Sequence, residues 1–299
     1  TVKEYRYDLT MFFRYILISR GLVPADTSFD DINVSMVDRD LLSSITLDDL
    51  YSFITYLSVE RKASSATRSR KIASLRSFFR YLKNKQRVIS EDPTVELESP
   101  KQTRKLPRYL TLEESKNLLT AAADAPSDDL SAKRDFCILT MFLNCGMRLS
   151  ELVNINIKDI KEDTLKVLGK GSKERTIYLN SACIDAIEDW MVVRKAIRTV
   201  KDKDALFVSR HMRRISSKQV QLIVRKYMRN AGIDTSRYST HKLRHTAATL
   251  MYKYGKVDIR SLQQILGHES ISTTEIYTHV DSDQLHNAVE SNPLAGFRK

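Results

Sequence analysis

The sequence predicts a mainly α-helical protein of two domains, an all-α N-terminal domain followed by a mainly α domain with a small antiparallel β-sheet. Three observations predict it. Apolar residues recur at helical spacing along most of the chain, from Tyr5 and Leu9 to Leu262 and Leu266. Only residues 164–168 and 175–179 form strand-like runs, joined by Gly-Lys-Gly-Ser-Lys-Glu at 169–174. Pro93, Pro100 and Pro107 punctuate a polar, basic stretch between the two helical regions. A chain of 299 residues is long enough for each region to bury its own core.

In the N-terminal domain, residues 1–98, three helices are expected. Tyr5, Leu9, Phe12, Phe13 and Ile16 line one face of the first. A polar, Asp-rich connection covers 24–45. Thr46 with Asp49 then resembles an N-cap, and Leu47, Leu50, Phe53, Ile54 and Leu57 share a face. Ser64 or Ser65 opens the third helix, whose inner face carries Ile72, Leu75, Phe78, Phe79 and Leu82. A basic linker follows at 99–108, with the boundary near 105. The second domain, 109–299, opens on a capping box of Thr111 and Glu114. Residues 133–145 are strongly apolar and read as a buried helix that Gly146 ends. After the strand pair, helices are expected at 181–199, at 217–231, from Thr240 to Gly255, at 258–266 and at 273–279.

Charge narrows the class of partner. Lys plus Arg total 49 against 37 Asp plus Glu, a formal net charge of +12. The excess is clustered: residues 61–90 hold ten basic side chains and no acid, and 99–108 add Lys101, Arg104, Lys105 and Arg108. Clustered like charge repels itself, so a polyanion is the expected partner, with Arg68, Arg70, Lys71, Arg76, Arg80, Lys101, Arg104 and Lys105 as contacts. Cys137, Cys145 and Cys183 sit among apolar residues without a C-x-x-C pair, which reads as reduced thiols of a cytoplasmic protein. No signal segment and no run of 18 apolar residues suggests export or a membrane.

Five short motifs lie in the second domain: G-M-R-L-S-E-L at 146–152, G-K-G-S-K-E-R at 169–175, H-K-L-R-H at 241–245, L-G-H at 266–268 and E-I-Y-T-H at 275–279. In this order and spacing they resemble the tyrosine recombinase (phage-integrase) family, most closely its short Xer-type members. The resemblance implies that Arg148 and Arg244 grip a scissile DNA phosphate, that Lys170, His241 and His268 assist, that Glu151 accompanies Arg148, and that Tyr277 is the nucleophile.

These residue types suit that chemistry on their own terms. Cleaving a phosphodiester requires stabilisation of charge on a five-coordinate phosphorus, and a guanidinium grips two oxygens at once without deprotonating. His241 and Arg244 are i, i+3 in the first turn of a helix, where free N–H groups favour an anion. A phenol of pKa about 10 needs a base or cationic surroundings, for which His241 is the candidate, with His268 as a donor to the phosphate. Lys170, flanked by glycines, is the candidate acid for the leaving 5′ oxygen, with Lys173 as its neighbour and competitor. His245, His279, His211 and His286 read as structural or surface residues.

The resemblance implies a C-shaped clamp on double-stranded DNA with inverted half-sites and a reaction through a 3′-phosphotyrosyl link and a Holliday junction. It also implies no metal, no cofactor and no membrane. The expected assembly is a homotetramer on synapsed DNA, or one shared with a paralogous recombinase or accessory protein. Leu285, Ala288 and Val289 in the tail are expected to dock on the same protomer's core or, as the resemblance implies, on a neighbouring protomer. Chromosome dimer resolution, mobile-element integration or excision, and inversion all remain open. So do two other classes, a type IB topoisomerase and a non-catalytic DNA-binding module.

Overall fold

The computed structural model describes residues 2–24, 26–101, 108–126, 130–169, 174–236, 238–255 and 257–280. Arg104, Lys105, Lys170, Lys173 and the tail from 281 lie outside the described residues. The chain divides into two compact units, Thr1–Arg104 and Lys105–Lys299.

The first unit is helical. α1 (Val2–Ser19), α3 (Leu47–Val59) and α4 (Ser65–Tyr81) follow the expected spans. Thr46 is the expected N-cap of α3 and forms a full capping box with Asp49, and Ser64 is the N-cap of α4. The connection at 24–45 holds more structure than its polar composition suggests: two 3₁₀ turns, Phe29–Asp31 and Val34–Met36, and the one-turn helix α2 (Arg39–Ser43). Such short pieces show no periodicity, and α2 rests on a local cap from the Asp38 side chain to the Leu41 N–H. The core centres on Phe12, whose ring meets Phe53 and Phe79 edge-on at 5.2 and 6.2 Å. Under α4, the buried Asp8 carboxylate accepts from Lys71 and Ser74 at 2.8 Å each and pairs with Arg70.

The second unit is built around α6 (Leu130–Cys145), which packs against α5 (Leu112–Ala123), α8 (Ser181–Ala196) and α10 (Thr240–Tyr254). Ile138, Leu139 and Phe142 of α6 are fully buried, each stabilising the fold by about 1.5–3 kcal/mol. Cys137, Cys145 and Cys183 are free, buried thiols. Gly146 ends α6 with φ +58°, and the one-and-a-half-turn α7 (Leu149–Val153) follows. The sheet has three antiparallel strands, one more than expected: β1 (Ile160–Lys161), β2 (Thr164–Leu168) and β3 (Glu174–Tyr178). β1 is too short to alternate visibly. α9 (Ser217–Asn230) and α11 (Ile259–Leu266) lie where expected. The helix expected at 273–279 is instead two 3₁₀ turns, Ile271–Thr273 and Glu275–Val280. Thr273, Thr274, Ile276 and Thr278 are β-branched, which weakens an isolated α-helix of that length.

Candidate active site

Three chain reversals bring the motifs together. At the first, Gly146 turns the chain between α6 and α7 with φ +58°, a conformation that favours glycine, and a Cβ there would stand 2.9 Å from the Leu266 side chain of α11. The turn leaves Arg148 at the start of α7, where Glu151, three residues on, reaches back to it. The Glu151 carboxylate accepts the Arg148 backbone N–H at 2.7 Å and its Nη1 at 2.8 Å. Arg148 Nη2 donates to the Gly267 carbonyl at 2.9 Å.

The second reversal is Gly267, which ends α11 in the left-handed region with φ +65°. The preceding carbonyl, on Leu266, accepts Arg244 Nη2 at 2.7 Å, and the Gly146 carbonyl accepts Arg244 Nη1 at the same distance. Both family arginines thus hold the Leu266–Gly267 turn. Arg244 is buried on α10; burial and the Arg148 charge pull its pKa down to about 10, so it stays cationic at neutral pH.

The third is the 3₁₀ pair that follows. His268 Nδ1 lies 2.9 Å from Thr274 Oγ1, tying the histidine to the turn before Tyr277. Burial, then Arg244 and Arg148, push its pKa down to about 4. Tyr277 is 1% exposed, packed with Ala248, Leu262 and Leu266. Burial raises its pKa to about 12, against a smaller downward pull from Arg244.

Arg148, Glu151, His241, Arg244, His268 and Tyr277 therefore belong to one cluster. The hydroxyl partner of Tyr277 differs from the expectation. It is His245, with Nδ1 2.7 Å from the phenol oxygen, and not His241. The exposed His241 ring stacks edge-on against His245 at 4.7 Å. Burial and then the cationic neighbours lower the pKa of His245 to about 4, so the histidine and the phenol share one proton as a neutral pair. Sequence reasoning had set His245 aside. The signal was available: 245 lies four residues after 241 on the same helix, so both rings face one way.

The other residue missed is Arg175 on β3, whose Nη2 donates to Glu151 at 2.9 Å. It closed the second motif but carried no role. Arg148, Arg175 and Arg244 around one carboxylate leave an uncompensated positive cluster, the electrostatic signature of an anion site. Arg148 and Arg175 border an open cleft of about 510 Å³ lined also by Gly169, His268 and Glu174. Gly169 and Glu174 flank the loop of Lys170 and Lys173, itself outside the described residues.

On the basic face of the first unit, one expectation needs correction. Lys71 is 4% exposed and its ammonium is held by Asp8, because α4 turns this position inward. Arg68 donates to Ser58 at 2.7 Å and Arg76 bonds the Leu97 carbonyl, so both are partly engaged within the fold. Arg70 is exposed but pairs with Asp8, and Arg80 and Lys101 are exposed.

Residues 108–284 match the family model described as the phage integrase family. A tyrosine recombinase XerC of Caldanaerobacter subterraneus subsp. tengcongensis is 56% identical over 295 residues, 99% of this chain and 82% of the relative. A tyrosine recombinase XerD of Proteus mirabilis is 36% identical over 246 residues, covering 81% of this chain and 76% of the relative. Among solved structures, the XerH site-specific recombinase bound to a palindromic difH substrate in a post-cleavage complex shares the fold, with a TM-score of 0.70, 24% identity, and coverage of 88% of this chain and 75% of that one. With the family model covering well over half of the chain and a relative of this closeness spanning nearly all of it, the chain belongs to the phage integrase family of tyrosine recombinases, Xer-type enzymes of site-specific DNA recombination.

Proposed function

We propose that Tyr277 attacks the scissile phosphate, forming a 3′-phosphotyrosyl link and releasing a 5′-hydroxyl, and that a 5′-hydroxyl of a partner duplex reverses the step. The observation that carries this reading is the seating of the phenol: its only described partner is an imidazole, and the Arg244 guanidinium is near enough to pull its pKa down. Arg148 and Arg244 neutralise the phosphate oxygens in place of the Gly267, Gly146 and Leu266 carbonyls they now hold. His245 takes the phenol proton. Its low pKa comes from burial and neighbouring cations; an arriving phosphate offsets those cations and makes it a better base. His241 and His268 donate to the phosphate, and Lys170 protonates the leaving oxygen. With the phenol nearly fully covered, the described arrangement is a resting one, and the Glu275–Val280 turn must move for attack.

The substrate is double-stranded DNA with inverted half-sites, and the acting form a homotetramer passing through a Holliday junction. Chromosome dimer resolution is the setting favoured by the Xer-type resemblance. Unit 1 and the basic linker 99–108 supply further phosphate contacts, from Arg70, Arg80, Lys101, Arg104 and Lys105, and the tail beyond 280 docks on a neighbouring protomer.

The test uses a nicked duplex that traps covalent complexes, run on a denaturing gel. The Tyr277→Phe protein is expected to bind the duplex as the parent does and to give no covalent band. A covalent band from that variant removes Tyr277 as nucleophile, and relaxation of a plasmid without a target site moves the reading to a topoisomerase.

A further inference from the structure

The Arg175 guanidinium occupies an unusual position. It is anchored at one end by the Glu151 carboxylate, at 2.9 Å, while the same carboxylate holds Arg148 by both its backbone and side chain. Its Cδ and Nε lie close to Gly267: a Cβ on that glycine would stand 2.7 Å from Arg175 Cδ and 2.8 Å from Nε. Its Nε and Nη1 are buried without a hydrogen-bond partner among the described residues. Burial and Arg148 both pull its pKa down, which Glu151 opposes.

Packing alone does not account for such a residue. An apolar side chain would fill the space without stranding two donors or adding a second cation beside Arg148, and buried ion pairs are commonly replaced by apolar groups without loss of stability. The position of Arg175 gives another account. It sits on β3, one residue after Glu174, at the end of the loop of Lys170. It touches Glu151, which aligns Arg148, and it touches the Gly267 turn, whose carbonyl Arg148 holds and whose next residue is His268.

We propose that Arg175 is a positioning residue that locks three parts of the site together: strand β3, the Glu151-aligned Arg148, and the Gly267–His268 turn. Lysine is a poor replacement, since its compact ammonium on a flexible stem lacks the rigid guanidinium that reaches from Gly267, at Cδ and Nε, to Glu151, at Nη2. Gly267 is then required for two reasons, its left-handed φ and the space the guanidinium takes.

The inference rests on Arg148 gripping the scissile phosphate, so the experiment separates the two. Single-turnover cleavage of a nicked duplex is measured for the parent, Arg175→Lys, Gly267→Ala and Arg148→Ala. Each is assayed on a natural scissile phosphate and on a methylphosphonate, whose missing negative charge reduces the demand for guanidinium groups. Thermal midpoint and duplex affinity are recorded alongside. Arg175→Lys is expected to bind DNA as the parent does and to cleave the phosphate roughly 10²-fold slower, the scale of a misplacement of about 1 Å. The defect should shrink markedly on the methylphosphonate, as should that of Arg148→Ala. Gly267→Ala, which pushes the same guanidinium from the opposite side, should show the same pattern, and it carries the test if Arg175→Lys does not fold. An unimpaired Arg148→Ala overturns the phosphate-gripping reading itself. With Arg148→Ala impaired and rescued, a parental rate for the folded Arg175→Lys or Gly267→Ala variant, or an equal defect on both substrates, overturns the positioning role alone.

Discussion

The proposed nucleophile is held as a neutral phenol. Tyr277 has a pKa raised to about 12 by burial, and its partner His245 one lowered to about 4. Neither group ionises near neutral pH in this arrangement, so in the proposed mechanism reactivity is created by the arriving phosphate. Replacing His245 by Gln should leave duplex affinity unchanged and slow cleavage by roughly 10²-fold or more, the usual contribution of a general base. The informative comparison is His241→Gln under the same conditions. A slow His241→Gln beside a normal His245→Gln would return the base role to His241 and reduce the 2.7 Å contact to a resting latch.

At the scale of elements, α4 carries a basic stretch that divides into two functions. Lys71 faces inward and neutralises Asp8, whose carboxyl burial pushes up and whose bonds from Lys71, Arg70 and Ser74 bring, on balance, below its ordinary value. Arg80 faces solvent. Neutralising the two should therefore have opposite signatures. Lys71→Met should lower the melting temperature of the N-terminal unit, since removing one partner of a buried pair costs about 3–5 kcal/mol. It should leave the salt dependence of DNA binding unchanged. Arg80→Gln should leave stability within about 0.5 kcal/mol. Its slope of log affinity against log salt should fall by about 0.9, one phosphate contact. A salt slope that drops for Lys71→Met and holds for Arg80→Gln would show the face reversed in the complex. The same element scale explains the glycines: Gly146 and Gly267 both adopt positive φ, and both stand where a side chain of another element crowds the place of a Cβ.

For the whole catalytic unit, the histidines make stability depend on pH. His245 and His268 have folded-state pKa values of about 4, below the ordinary 6.5 they regain on unfolding. Between these limits the unfolded chain binds protons that the folded chain does not, so stability must fall as pH drops from about 6.5 toward 4. The melting temperature of the DNA-free protein should decline across that window, and less so in a His245→Gln, His268→Gln double variant. A bound duplex should flatten the decline further, because the phosphate raises the affinity of both rings for a proton. An unchanged decline in the double variant would assign the acid sensitivity to groups elsewhere.

Much of this molecule is legible in the chain itself. Helix positions, the N-cap at Thr46, the capping box at Thr111 and the strand pair follow from periodicity and from local side-chain to backbone bonds, which act within a few residues and leave a pattern in the sequence. The cluster of Arg148, Glu151, His241, Arg244, His268 and Tyr277 was legible too, since each residue type is demanded by the chemistry and each sits in a recognisable short motif. Other features were decided only by tertiary structure. The phenol's choice of His245 over His241 depends on how the Glu275–Val280 turn meets α10. The inward turn of Lys71 depends on Asp8, sixty-three residues away in sequence. The role of Arg175 depends on Glu151 and Gly267 arriving on either side of one guanidinium. Each of these is a contact between segments distant in the chain, set by shape and charge after the cores have formed. Local pattern records what a residue can do, and only the packed fold determines which partner it meets.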